Sequence, residues 1–156
     1  MGKNPTDRGK QGAKRSVLTD AAGVPLGLAV DGANRNDMKL VLQTLESIPE
    51  DAERPEPTEE EPQGVCLDKG YDYDEVRQIV AEFGFTAHIR CRGEDAQKLK
   101  RAAGFKARRW GVERTHSWMN RFRGVLIRWS KKAANYVALL HMSFAFIIYR
   151  RMGLFG

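Results

Sequence analysis

Two carboxylates, Asp68 and Glu113, stand out as residues that could hold a metal ion. Asp68 ends a short apolar run at 64–67 and is followed by a Lys-Gly turn. In an open α/β sheet, sites form beyond the carboxyl ends of the strands, so a carboxylate placed there is exposed and rigidly held. The alternative is an Asp that only caps the turn, which is an equally common use of this residue type.

Glu113 is one of only three acids in an otherwise basic half of the chain, since residues 90–151 contain sixteen Lys or Arg. A helix around Glu113 would bring Arg109 close to it and Asn120 near the same face. Taken by itself, Glu113 could equally be a surface residue paired with Arg109. Such an exposed pair contributes only roughly a few tenths of a kcal/mol.

Together, the two carboxylates and the positive charge around them suit Mg²⁺ in phosphodiester chemistry. Hard divalent ions take oxygen ligands, and a pair of them can ready the attacking oxygen and stabilise the leaving one. Basic side chains would hold the DNA backbone, which dominates affinity in such complexes. The candidate DNA contacts are Lys10, Lys69, Arg109, Arg114 and Arg121, and Asn120 and His116 are candidate supporting residues, although a single His is more often structural.

Length, composition and charge narrow the class of protein. The chain has 156 residues, 42% of them hydrophobic and 29% charged, which is typical of one folded domain. A net charge of +6 favours a polyanionic partner such as nucleic acid, although a solubilising surface explains it equally well. The opening is polar, and the longest apolar run, 136–149, is shorter than the about 20 residues that span a bilayer. We therefore expect a cytoplasmic protein, with no membrane partner, whose Cys66 and Cys91 are buried in strands.

The order of predicted elements favours an α/β fold. Residues 2–15 are predicted to be a loop or a tail, and 16–20 and 24–31 the strands of a β-hairpin. A helix capped by Asn36 is expected from Asp37 to Ser47, followed by a flexible acidic connector at 49–63. The remaining predictions are strands at 64–68 and 85–91, helices at 74–83, 105–123 and 133–150, and a connector or strand at 124–129. Alternating strands and helices are typical of layered α/β folds.

Three motifs give a more specific indication: KNPTDRGK at 3–10, DKGYD at 68–72 and WGVERTHSWMNRFR at 110–123. In this order they resemble the bacterial insertion-sequence transposases of the DDE class, specifically the insertion sequence five group. The resemblance implies a ribonuclease H-like mixed sheet flanked by helices. It implies Mg²⁺, or Mn²⁺ in its place, as cofactor, with Asp68 as the second catalytic Asp and Glu113 as the catalytic Glu. The implied reaction is cleavage at element ends by water, then attack of the freed 3′-hydroxyl on target DNA.

The sequence also departs from this family's pattern. Arg109 matches the Arg before the catalytic Glu, but Lys106 stands where the family has Tyr, and Asn120 where it has a basic residue. The family's first catalytic Asp lies on a strand upstream of the first motif. We therefore expect residues 1–156 to be a partial catalytic domain that lacks its first strand. Such a chain would bind metal weakly and cleave poorly. Besides double-stranded DNA, it would need a second copy or an upstream transposase segment as partner.

Three other functions stay open on these residues. One is a DNA-binding transposase remnant without catalytic activity, which would regulate a complete transposase. Another is a stand-alone Mg²⁺ nuclease of the same fold, which would cut without preference for element ends. The last is a basic structural protein, for which replacing Asp68 or Glu113 would change nothing. Whether the chain is an enzyme is therefore left open at this point.

Overall fold

The computed structural model describes residues 2–4, 8–50, 52, 58, 63–89 and 110–153. These residues form an α/β arrangement, as predicted. Its strands are β1 (Gly2–Lys3), β2 (Gln11–Thr19), β3 (Pro25–Gly32), β4 (Gly64–Leu67) and β5 (Thr86–Ile89). Its helices are α1 (Asp37–Glu46), α2 (Asp74–Glu82), α3 (Trp110–Met119), α4 (Arg123–Leu126) and α5 (Ala133–Arg151), and a 3₁₀ turn spans Lys69–Tyr71.

Strands β2 and β3 form the predicted hairpin, but β2 is longer than expected. Residues 11–15, predicted to be a loop or a tail, belong to β2, and β1 pairs with the start of this strand. Antiparallel pairing with β3 thus overrides the weak strand preference of this Gly- and Lys-containing segment. The turn between the strands uses Gly23, whose φ of 83° favours glycine. The Asp20 carboxylate accepts a hydrogen bond from the Val24 amide at 2.7 Å and closes the turn.

The hairpin is covered by helices on both faces. Arg15 and Val30 are cross-strand partners on one face, against which α3 and α5 pack. On the other face, Gly27 lets α1 approach closely, because an added Cβ would lie 2.5 Å from the Thr44 carbonyl oxygen. Because side chains alternate along a strand, β2 and β3 direct successive side chains to the helical layers on their two faces.

The larger apolar core lies between the hairpin, α3, α4 and α5. Its buried members are Leu28, Met119, Val125, Tyr136, Leu140, Phe144 and Ile147. Helix α5 supplies four of them, so the prediction that this apolar segment is a core helix is confirmed. Its opposite face carries exposed apolar residues, among them Met142, which is 69% exposed.

A second core holds the other part of the chain together. It contains Val41, Leu45, Ile48, Val65, Val76 and Val80, from α1, β4, α2 and their neighbours. Strands β4 and β5 pair in parallel, with α2 as their crossover. Helix α1 contacts both the hairpin and α2, so it joins the two cores.

Several helix and strand ends follow the predicted local signals. The Asn36 side chain accepts a hydrogen bond from the Met38 amide at 3.1 Å and caps α1, as expected. Helix α2 ends before Gly84, whose φ of 79° is typical of a helix terminus. The strand predicted at 64–68 is found as β4, so Asp68 directly follows its last residue.

The helix predicted at 105–123 differs in the structure. Its described part ends at Met119, a turn follows at 120–122, and α4 occupies residues expected to be a connector or strand. The reason is burial of Val125, which is 2% exposed and whose carbonyl accepts a hydrogen bond from the Tyr136 hydroxyl at 3.1 Å. Residues 105–109 lie outside the described residues.

The prediction that Cys66 is buried is wrong, because Cys66 is exposed. Side chains alternate along β4, so the buried Val65 next to it directs Cys66 to the outer face. Cys91 and most of the acidic connector at 49–63 lie outside the described residues. Within the described ranges, none of the helices combines the length and apolar character needed to cross a bilayer.

Candidate active site

Asp68 lies at the carboxyl end of β4 and is exposed. Its side chain accepts a hydrogen bond from the Lys69 amide at 2.8 Å, and the 3₁₀ turn begins there. Asp68 therefore caps a turn, as the simpler interpretation of the sequence predicted. A carboxylate has about four acceptor positions, so this role is compatible with binding a ligand and also orients the group.

The surroundings of Asp68 include a residue at the start of α1. Burial raises the pKa of the Tyr71 hydroxyl, and the negative charges of Asp37 and Asp68 raise it further. Asp37, at the first position of α1, forms an ion pair with Lys14 at 2.8 Å. The end of β4, the start of α1 and strand β2 thus meet in this region. Sequence reasoning did not identify Lys14, which carries no motif signal of its own.

Glu113 lies in the first half of α3 and is exposed. Residues on the opposite side of this helix, Gly111, Thr115 and Met119, are buried. This four-residue spacing defines one helical face, and Glu113 points away from it. Arg109, predicted to lie beside Glu113 and to contact DNA, is outside the described residues.

Helix α3 is attached to the hairpin turn through Thr115. This side chain is 0% exposed, and its hydroxyl donates a hydrogen bond to the Gly23 carbonyl oxygen at 2.5 Å. The backbones also approach closely there, because a Cβ on Gly111 would lie 2.9 Å from the Asp20 carbonyl oxygen. The turn of the hairpin and the start of α3 are therefore in direct contact.

A second attachment lies at the end of α3. The Arg15 guanidinium, from β2, donates to the Asn120 side-chain oxygen at 2.6 Å and to the Val125 carbonyl oxygen at 3.4 Å. Burial lowers the pKa of His116, and the positive charge of Arg15 lowers it further. Asn120 and His116, the two candidate supporting residues, thus lie near the same strand residue.

The candidate DNA contacts differ in exposure. Arg114 is half-buried, with its guanidinium carbon 5.4 Å from the centroid of the Trp118 ring, a cation–π arrangement. The other described candidates are exposed, as contacts to a DNA backbone require: Lys10, Lys69 and Arg121.

The two carboxylates belong to different parts of the molecule. Asp68 follows a strand of the second core, whereas Glu113 lies on a helix packed against the hairpin and α5. Among the residues that the structure describes, no group of three or more His, Cys, Asp or Glu side chains could hold a metal ion.

Comparison of the whole chain with known proteins identifies its family. The family model of the transposase DDE domain matches residues 2–148, and the chain belongs to this family. The chain is also 32% identical, over 151 residues, to a protein of Burkholderia cepacia named as a candidate transposase for insertion sequence element IS402. The match covers 97% of this chain and 69% of that relative. No solved structure matches the chain significantly.

Membership of this family confirms the resemblance to bacterial DDE insertion-sequence transposases that the three motifs indicated. The family acts on DNA and uses divalent metal ions, so a DNA partner and a divalent cofactor follow from membership. The individual roles of Asp68, Glu113 and the basic residues stay predictions.

Proposed function

We propose that this chain is the catalytic-domain part of a transposase that cuts DNA at the ends of its mobile element and joins the freed 3′-hydroxyl to target DNA. The observation that carries the proposal is the placement of two exposed carboxylates, Asp68 after β4 and Glu113 on α3, in a chain of the DDE family. Both proposed steps are attacks on phosphorus, first by water and then by the 3′-hydroxyl.

The donor chemistry of these carboxylates fits Mg²⁺ or Mn²⁺. Mg²⁺ is usually held by one or two carboxylates together with substrate phosphates, rather than by an all-protein cage. Asp68 and Glu113 would therefore share the metal with DNA phosphates and with a third carboxylate from outside the described residues. When bound, the metal supplies positive charge at the reacting phosphate and lowers the pKa of a bound water.

Basic side chains of this chain would bind and orient the DNA backbone. Lys69 directly follows Asp68, and Arg121 follows the end of the Glu113 helix. Arg114 is held against Trp118, so less conformational freedom is lost when it meets a phosphate. Phosphate contacts of this kind fix the position of the duplex and carry no sequence information.

The proposal includes a ribonuclease H-like sheet. Strands β2 and β3 are antiparallel and β4 and β5 are parallel, which are the two kinds of pairing in such a mixed sheet. Strand β1 pairs with two residues at the start of β2. We propose that the strand bearing the third carboxylate pairs between β2 and β4, and that an upstream transposase segment supplies it.

The test is a cleavage and strand-transfer assay with Mg²⁺ or Mn²⁺ on DNA that carries the element's ends. The assay compares the chain alone with the chain joined to the upstream segment, because we expect full activity only from the joined protein. In that protein Asp68→Asn and Glu113→Gln should each lower the rate at least about a hundredfold, since each removes charge stabilisation of the transition state. Glu75→Gln, which changes an exposed acid on α2, is the matched control.

Other outcomes would support the alternative functions. Metal-independent DNA binding that survives both substitutions, with no cleavage by either protein, would indicate a non-catalytic DNA-binding regulator. Equal cleavage of random and element-end DNA would indicate a nuclease. Full transposition activity of residues 1–156 by themselves would overturn the proposal that a further strand is required.

A further inference from the structure

The two attachments of α3 to the hairpin, through Thr115 and Asn120, both follow Glu113 in the sequence. We infer that the β2–β3 hairpin is the positioning element for Glu113, acting through the Thr115–Gly23 and Arg15–Asn120 hydrogen bonds. The inference rests on the proposed role of Glu113 as a metal ligand. It assigns positioning roles to Arg15, Gly23 and Thr115, none of which touches the proposed metal.

The Thr115 contact fixes the rotation of α3 about its axis. Residues two apart on an α-helix lie on nearly opposite sides, because each residue turns the helix by about 100°. Gly111 and Thr115 face the hairpin, so Glu113 between them is directed away from it. Rotation of the helix would break the buried Thr115 hydrogen bond and redirect the carboxylate at the same time.

Two glycines make this contact short. Gly23 adopts a positive φ, and a Cβ there would lie 3.0 Å from the Gly111 carbonyl oxygen and 3.2 Å from the Thr115 hydroxyl. A side chain on either glycine would push the helix and the turn apart. The distance between the turn and the first part of α3 is therefore set by backbone, which adjusts less than side chains do.

The Arg15 contact fixes the far end of the helix. Arg15 lies in β2 opposite Val30, so its position relative to β3 is set by the register of the hairpin. Its guanidinium reaches both Asn120, after α3, and the Val125 carbonyl of α4. The planar group holds two acceptors in a fixed geometry, which the single ammonium of Lys would not reproduce.

The first experiment replaces Thr115 in the full chain. Thr115→Val removes the hydroxyl at nearly unchanged volume, Thr115→Ser keeps it, and Ser117→Ala changes an exposed residue of the same helix as control. Hydrogen exchange of the α3 amides and Mn²⁺ affinity from the electron paramagnetic resonance of free Mn²⁺ are measured for each. We expect Thr115→Val to speed α3 exchange and weaken Mn²⁺ binding at least about fivefold, the cost of one hydrogen bond. Thr115→Ser and Ser117→Ala should stay within about twofold of the wild type.

The second experiment tests the Arg15–Asn120 attachment by substitutions of Asn120. Asn120→Leu removes the acceptor and should weaken Mn²⁺ binding, whereas Asn120→Asp keeps an acceptor oxygen for Arg15 and should restore it to within about twofold. A lower melting temperature of Thr115→Val or Asn120→Leu with unchanged α3 exchange and unchanged Mn²⁺ affinity would overturn the inference, because the contacts would then be only structural.

Glu113→Gln separates failure of this inference from failure of the proposed function. If Glu113→Gln leaves Mn²⁺ affinity unchanged, the proposed ligand role of Glu113 is wrong, and the hydrogen-exchange comparison alone then decides whether the hairpin positions α3. If Glu113→Gln abolishes binding and Thr115→Val does not weaken it, the ligand role stands and the positioning role is wrong.

Discussion

The two carboxylates are held in place by different means. Asp68 is oriented by its own chain neighbour, the Lys69 amide, at the end of a strand. Glu113 depends on contacts between residues far apart in the sequence, since Thr115 and Gly23 are 92 residues apart and Asn120 and Arg15 are 105 apart. One proposed metal ligand is therefore positioned by a local motif, and the other by the tertiary fold.

Because of this difference, the positions of Asp68 and Glu113 depend on different parts of the molecule. The Asp68 turn needs a few neighbouring residues and is exposed to solvent. The Glu113 helix needs the larger core, the hairpin turn and a buried hydrogen bond to be correct together. Destabilising the larger core should therefore change the geometry of Glu113 before that of Asp68.

The largest effect is expected from Leu140→Ala in the larger core. Leu140 is 0% exposed on α5, so its truncation should lower the free energy of unfolding by about 2–5 kcal/mol. Denaturant unfolding followed by tryptophan fluorescence measures this, because Trp118 packs against that core. Met142→Ala, on the exposed face of the same helix, should change stability by under about 0.5 kcal/mol. Equal effects of the two substitutions would contradict the assigned packing of α5.

A pair of glycines compares the two regions directly. Gly23 and Gly84 both have positive φ, so replacing either by Ala should cost about 1–2 kcal/mol in backbone strain. A Cβ on Gly84 meets nothing within 4 Å, whereas one on Gly23 lies 3.0 Å from the Gly111 carbonyl oxygen. Gly23→Ala should therefore lower the melting temperature more than Gly84→Ala. The same decrease for both would show that the hairpin turn and α3 separate at little cost.

His116 should make the stability of the Glu113 region depend on pH. Its pKa in the folded state lies below the ordinary value of 6.5, so the unfolded chain binds a proton more readily. Its contribution to stability is complete above about pH 6.5 and is lost as the pH falls through the folded pKa. Melting temperatures measured from about pH 8 to about pH 5 should fall less for His116→Gln than for the wild type. An equal decrease for His116→Gln and the wild type would contradict this prediction.

Arg15→Gln tests the cause of that shift. Removing the guanidinium charge should raise the pKa of His116, while burial continues to hold it below the ordinary value. Proton NMR titration of the His116 ring measures the change. An unchanged pKa would mean that Arg15 is not close to His116 in solution.

The smallest effect is expected in the Asp68 region, from Arg77→Ala. Arg77 pairs with Asp72 at 2.7 Å, but both side chains are exposed. Such a pair contributes about 0–1 kcal/mol and is weakened by salt. Denaturant unfolding at low and high salt should therefore show a small loss that disappears in salt. A larger, salt-independent loss would indicate that the end of β4 depends on tertiary contacts as much as α3 does.

Much of the fold could be predicted because its signals are local. Asn36 predicts the start of α1, Gly84 the end of α2, and the apolar run before Asp68 predicts β4. The family of the chain was likewise evident from three short motifs, and the matching family model confirms it. These features depend on neighbouring residues, which the sequence displays directly.

The remaining features depend on partners that are distant in the sequence. Nothing around Thr115 indicates that its hydroxyl meets Gly23, and nothing around Arg15 indicates Asn120. The exposure of Cys66 and the early end of α3 also follow from which face of each element meets a core. Asp68 could thus be located from its motif and strand end, whereas the support of Glu113 required the tertiary structure.

Adjacent residues of β2 serve opposite sides of the molecule, because Lys14 pairs with Asp37 and Arg15 with Asn120. A shift of one residue in the pairing of β2 would exchange their directions. Lys14 would then lose its contact on the Asp68 side, and Arg15 would lose its contact on the Glu113 side. Single-residue insertions or deletions within β2 should therefore be far less tolerated than substitutions there. The register of this one strand sets the contacts on both sides of the proposed site.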